Sequence, residues 1–143
     1  MINNIITGIA QKLDEEFNVN GDEYTIYTDG VEQGLKEPCF FIFSLKPSNR
    51  HVLGNRYERQ YQFNIHYFPK NEDSNNEINE IVERLFAVLE YITVDDSLVR
   101  GTSMSAEIVD DVLHFFINYN MYVTKQVVQE ESMEEILIKQ NAR

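Results

Sequence analysis

Residues 111–123, DVLHFFINYNMYV, put Leu113, Phe115, Ile117, Tyr119, Met121 and Val123 at every second position. Period two with one apolar side predicts a strand covered on that side. Residues 98–109 have the length of a partner strand, so the two form a hairpin turning near Asp110-Asp111. The same period runs through residues 57–67. There Tyr57, Arg59, Tyr61, Phe63, Ile65 and Tyr67 alternate with Glu58, Gln60, Gln62, Asn64 and His66, and Pro69 ends the strand. One face is apolar and the other wet, as in a sheet packed on one side. Two strands precede it. A short one spans 24–28 and stops at Asp29-Gly30. The next spans 39–46, and its CFFIFSL run after Pro38 is aromatic enough to be buried on both faces at its start.

Two stretches switch to helical spacing. Ile2, Ile5, Ile6, Ile9, Leu13 and Phe17 form one stripe, with Asn18 to Gly21 as stop and turn. Ser74-Asn75-Asn76-Glu77 has capping-box spacing. Behind it, Ile78, Ile81, Val82, Leu85, Val88, Leu89 and Ile92 predict a second amphipathic helix over 74–91. The order is α-β-β-β-α-β-β. It predicts an α+β fold with two helices packed on one face of an antiparallel or mixed sheet. Residues 1–125 make one domain. Residues 126–143 read as a charged C-terminal tail, or as a short helix over 133–140 opened by Ser132 and Glu135, free to act as an interface arm.

Composition narrows the function classes. A chain of 143 residues is one domain by length, large enough to bury a core. No apolar run approaches the roughly 18 residues a membrane span needs, so no membrane partner is expected. The opening lacks the basic region of a signal peptide, and the lone Cys39 excludes an internal disulfide; both fit the cytoplasm. Twelve basic side chains against 24 acidic ones give a net charge of −12, which argues against a nucleic-acid binder. An acidic surface still suits a passage along which DNA slides without sticking, and it also suits plain solubility.

The chain offers no catalytic constellation. His66 and His114 fall on the polar faces of strands and could share a metal with Glu58 or Glu107, but no HxH or HExxH spacing supports a metal site. Cys39 beside Phe40 reads as a small core residue. Asp95-Asp96 and Asp110-Asp111 lack the alternating oxygens and central glycine of a calcium loop and read as turns. Gly30-Val31-Glu32-Gln33-Gly34 has no lysine and is no phosphate loop. We expect no enzyme, no catalytic or metal-binding residue, and no cofactor.

One segment stands apart. In KPSNRHVLGNRYER, Lys46, Arg50, Arg56 and Arg59 gather a third of the basic residues within fourteen positions, with His51 among them and Glu58 opposing. The segment is longer than an ordinary strand connection, and such loops commonly carry function. Its arginines either pair with their own acidic domain or reach an acidic partner, with Val52 and Leu53 as the apolar contact. On a chain of −12 the second reading orients identical subunits head to tail, a contact that closes into rings. The candidate interface is therefore Lys46, Arg50, His51, Val52, Leu53, Arg56 and Arg59.

The element order, the acidic balance and the long arm between the second and third strands resemble the tail terminator proteins of long-tailed phages. The opening INNIITGIAQKLDEEF, followed by YTIYTDGVEQGLKEPCFFIF, is similar to tail-terminator-like proteins of Gram-positive prophages and phage-tail-like particles. The likeness covers roughly residues 1–125. It implies a structural virion protein at the head-proximal end of the tail, assembled in the host cytoplasm. It also implies a homo-oligomeric ring, hexameric in such families, that caps the tail tube, ends tube polymerisation and joins the tail to the head or collar. The implied partners are the tail tube protein and a sheath or head-connector protein, with DNA passing through the lumen without specific binding. A head–tail connector or neck protein, or a small non-enzymatic adaptor domain, is the alternative.

Overall fold

The computed structural model describes residues 1–30, 34–71 and 75–126. Among them the chain forms two helices and seven strands. These are α1 (Ile2–Phe17), β1 (Thr25–Tyr27), β2 (Cys39–Ser44), β3 (Ser48–Leu53), β4 (Arg56–Phe68), α2 (Asn75–Val88), β5 (Tyr91–Val94), β6 (Ser97–Val109) and β7 (Val112–Thr124). The strands join in one curled, mixed sheet in the order β1-β2-β4-β7-β6-β5, with β3 beside the start of β4. Only β1 and β2 run parallel. The predicted α+β class, with its helices on one sheet face, is the observed one.

The two long alternating strands lie at the centre. β4 and β7 pair antiparallel over twelve registered positions, from Arg56↔Thr124 to Tyr67↔Leu113. Registered residues share a face. Tyr61, Phe63, Ile65 and Tyr67 therefore stand beside Tyr119, Ile117, Phe115 and Leu113, and all eight are buried. On the same face β2 contributes Phe40 and Ile42. The helices cover it with Ile5, Ile9, Leu13 and Phe17 from α1, and Ile78, Ile81 and Leu85 from α2. Each such side chain contributes about 1.5–3 kcal/mol on burial, which makes this layer the main stabilising term.

Specific contacts set the helix positions. α1 has no side-chain cap at its start and no acidic residue in its first turn, so its stability comes from packing. Its end is stapled: the Asn18 amide donates to Asp14 Oδ1 and to the Tyr24 carbonyl, and Asn18 Oδ1 accepts from the Tyr24 backbone N–H at 2.7 Å. Arg84 of α2 lies 4.0 Å from the centroid of the Phe17 ring and donates to the Glu16 carbonyl. That arrangement satisfies a carbonyl at the helix end and binds helix to helix. At the start of α2, Glu77 accepts from Tyr67 Oη at 2.5 Å and from the Lys70 backbone N–H at 2.9 Å. Burial alone would raise the Glu77 pKa. These bonds and those from Asn71 outweigh it and hold the carboxyl below the usual range. The expected cap Ser74 lies outside the described residues, as do the Gly30–Gly34 centre and the helix expected over 133–140.

Two differences from the sequence reading have clear causes. The helix predicted to continue to 91 ends at Val88, and Ile92 belongs to β5, where Ile92 and Val94 are buried and Tyr91 and Thr93 exposed. The connection read as a long loop between the strands at 39–46 and 57–67 is a β-hairpin of β3 and the start of β4, so Arg50 and Arg56 lie in strands rather than outside the elements. Both Asp-Asp pairs are two-residue hairpin turns with φ between 50° and 64°, the left-handed conformation that aspartate tolerates.

Gly8 lets α1 touch β5. A Cβ there would stand 2.6 Å from the Thr93 carbonyl oxygen, a backbone atom that cannot swing aside. Helix propensity alone would favour Gly8→Ala by about 1 kcal/mol. We expect the collision to outweigh this, with a net loss of about 1–3 kcal/mol in denaturant unfolding; a variant more stable than the parent would show that the contact is loose. Because the core described above is complete by β7, deletion of residues 127–143 is expected to leave a domain that unfolds cooperatively, and a broad, non-cooperative melt would contradict this.

Candidate interaction surfaces

The β3–β4 arm carries the residues singled out in the sequence except Lys46, which lies between β2 and β3. Every β3 residue is exposed, Leu53 most of all at 74%. The hairpin turns at Gly54-Asn55, where Gly54 has φ 58°, with a register shift between His51 and Leu53. Arg50 reaches across to Glu58 at 2.8 Å, and Tyr122 donates to the other Glu58 oxygen. The Arg50 hydrogen bond holds the Glu58 carboxyl below its ordinary range and the Arg50 guanidinium above its own. Arg59 donates to Asn49 Oδ1 at 3.1 Å, and Arg56 lies 5.7 Å from the Tyr122 ring centroid. His51 Nε2 lies 2.6 Å from the Gly54 carbonyl oxygen, steadying the tip. The first sequence alternative, pairing within the domain, is realised for two of the arginines. Arg50 and Arg59 are engaged within the arm, Arg56 stands exposed opposite Leu53 at the tip, and Lys46 stands exposed before the start of β3. At the arm's base Asn49, Tyr57, Arg59, Val123, Thr124 and Lys125 line a cleft of about 450 Å³ with two cations and no carboxylate in its wall.

The sheet face turned away from the helices is the second surface. Sequence alternation made it wet, but it is built largely of rings. Tyr27, Phe41, His66, His114 and Glu107 stand in one registered row across five strands. Phe41 and Phe43 are stacked 4.9 Å apart with planes 3° from parallel, Tyr27 stacks on Phe41, and Phe43 lies 4.7 Å from His66. The signal was present in CFFIFSL, since a strand with aromatics at successive positions must put some on each face. Cys39 is fully buried and its thiol is pushed up to about 11, first by burial and then by Glu37, which suits the core role read for it.

The two histidines meet, with ring centroids 4.1 Å apart, and the Asn64 amide lies 3.0 Å from His66 Nε2. Among the described residues no three His, Cys, Asp or Glu side chains are grouped to hold a metal ion. Burial, and after it the neighbouring His114, lowers the His66 pKa. The folded chain therefore binds this proton less readily than the unfolded chain. The stability difference is present above the unfolded value near 6.5 and is lost as pH falls through it toward the lower folded value. His66→Gln should reduce the drop in Tm between about pH 7.5 and pH 5.5, and equal drops in parent and variant would assign the acid sensitivity elsewhere.

Among the described residues no helix is long and apolar enough to cross a membrane. No curated protein matches the chain. One solved structure is similar at 12% identity, covering 89% of this chain and 97% of its own, with a TM-score of 0.47, a likeness too loose to bear on role. A family model described as phage tail terminator protein matches residues 4–131, nearly the whole chain, both helices and all seven strands included. The chain belongs to the phage tail terminator family, structural proteins of the virion tail that complete it.

Proposed function

We propose that this chain assembles into a ring, hexameric as the family resemblance implies, that seats on one end of the tail tube and stops its growth. The ring then offers its far side to the head or collar, through a sheath or head-connector protein. The observation that carries this reading is the exposed basic arm on a chain of net charge −12. Copies so acidic repel one another, so at least one of the two surfaces in a contact between them must be locally neutral or positive. The arm meets that condition, and Val52 and Leu53 add the apolar area that charge alone does not supply.

A capping ring also needs a surface for the tube. The aromatic face supports that role, because it combines rings with few charges and lies apart from the arm tip. An acidic lumen would let DNA pass without specific binding. The particle assembles in the host cytoplasm under this reading.

Negative-stain imaging of the protein with purified tail tube tests the proposal. Rings on one tube end, with tube length fixed, are the expected result; rings that bind portal and ignore the tube would make it a neck protein. Lys46→Glu with Arg56→Glu should leave the fold intact, because both side chains are exposed, and should weaken ring or tube association about tenfold or more. Normal capping by the charge-reversed protein would remove the arm from the interface.

A further inference from the structure

Among the described residues the outer edges of β1 and β5, three and four residues long, pair with no strand, and two longer edges are open as well. β3 is bonded to β4 on one side only. β6 is bonded to β7 along its length, but β5 accompanies it only as far as Arg100. Beyond the register shift between Thr102 and Ser105, the regular run Ser105–Val109 has an open edge. Open edges present rows of backbone donors and acceptors ready for another strand.

The two edges match in length, apolarity and charge. β3 offers six residues and the β6 run five. Each has an exposed apolar pair: Val52 at 42% and Leu53 at 74%, against Ile108 at 45% and Val109 at 42%. Ile108 is notable because its registered partner Leu113 is fully buried on the helix face, yet Ile108, one strand further out, is 45% exposed. Near the first pair stand Arg50, His51 and Arg56, with Lys46 just before the strand. Around the second stand Glu107, Asp110 and Asp111, all exposed.

Resting on the ring reading, we infer that β3 of one copy pairs along the open edge Ser105–Val109 of β6 in the next copy, main chain to main chain. Charge selects this combination. Two β3 edges together would oppose their arginines, and two β6 edges would oppose Glu107, Asp110 and Asp111, whereas β3 on β6 sets cations against carboxylates. A contact between two different surfaces of identical chains is head to tail, and repeated with a closing rotation it gives a ring. Val52 and Leu53 then cover Ile108 and Val109.

Two single variants test the pairing. Leu53→Asp damages only the β3 edge and Ile108→Asp only the β6 edge; Glu107→Lys is a second β6 variant on a fully surface side chain, and circular dichroism with thermal melts confirms that each is folded. Each variant alone should self-associate about tenfold or more weaker than the parent in analytical ultracentrifugation. Mixed, Leu53→Asp and Ile108→Asp chains retain one intact edge of each kind and should form heterodimers that do not grow. If the parent is monomeric in solution, the same variants are imaged on tail tube, where each should fail to form rings. Complete rings from folded Ile108→Asp and Glu107→Lys chains would overturn the edge pairing and leave the ring reading standing. A parent that forms no ring on tubes would overturn the ring reading itself. Loss of association with Leu53→Asp alone would assign the arm to a different partner surface, the tube or the acidic residues Glu130, Glu131, Glu134 and Glu135 of the chain's own C-terminal segment, and would also overturn the pairing.

Discussion

Two amphipathic helices press on a single face of the β2-β4-β7 sheet, and the rest of the molecule follows from that contact. The β4–β7 register stacks four buried residues of one strand against four of the other, and α1 and α2 close over them with Ile9, Leu13, Phe17, Ile81 and Leu85. Phe17 is the joint: its ring meets Tyr24, Phe40 and the Arg84 guanidinium, so one side chain couples α1 to β1, β2 and α2. Gly8 sets how close the helix can come, and Tyr119, donating to the Leu89 carbonyl at 2.7 Å, fixes where the chain leaves α2.

Helices of 16 and 14 residues span about 24 and 21 Å, whereas strands of 13 residues reach about 43 Å. The sheet therefore outruns its cover. What extends past the helices is the basic arm. The stretch of β6 that holds Ile108 and Val109 is exposed for a different reason: Tyr67 and Leu113, level with Ile108 in the sheet, are buried, and β6 lies one strand further out. The opposite face needs no helix, since Tyr27, Phe41, Phe43, His66 and His114 shield one another by stacking.

Sequence periodicity disclosed most of this architecture, because every buried stripe obeys period two or 3.6. It failed where two periods coincide. Ile92 follows Leu89 by three residues and so extends a helical stripe, while Ile92 and Val94 equally satisfy a strand; tertiary pairing with β6 chose the strand. A better signal was available in Val94-Asp95-Asp96, which repeats the Val109-Asp110-Asp111 turn downstream. The arm's residues were legible as a site by charge, but not as a hairpin, since Asn49, Arg50, His51 and Val52 show no apolar alternation: no face of β3 is buried. The internal Arg50–Glu58 pair was likewise hidden, since it depends on the β3–β4 register. The β6 edge was not legible at all. Alternation puts Ile108 on the core face, and only the strand order shows that it stands one strand outside the buried row of Tyr67 and Leu113.

Charge then decides what such edges can do. In a neutral protein two open edges would invite pairing of any kind, like with like included, and the result would be aggregation rather than assembly. Here the cations are gathered beside one edge and the carboxylates beside the other, on a chain that otherwise repels its own copies. Like-with-like pairing is disfavoured at both edges, and the one combination left is directional. Direction is what separates a closed ring from a symmetric dimer, because a dimer consumes both copies of one surface while a head-to-tail contact always leaves the next one open until the circle is complete. The proposed capping role would need that property: association would have to stop at a fixed number, with geometry rather than affinity setting the stop.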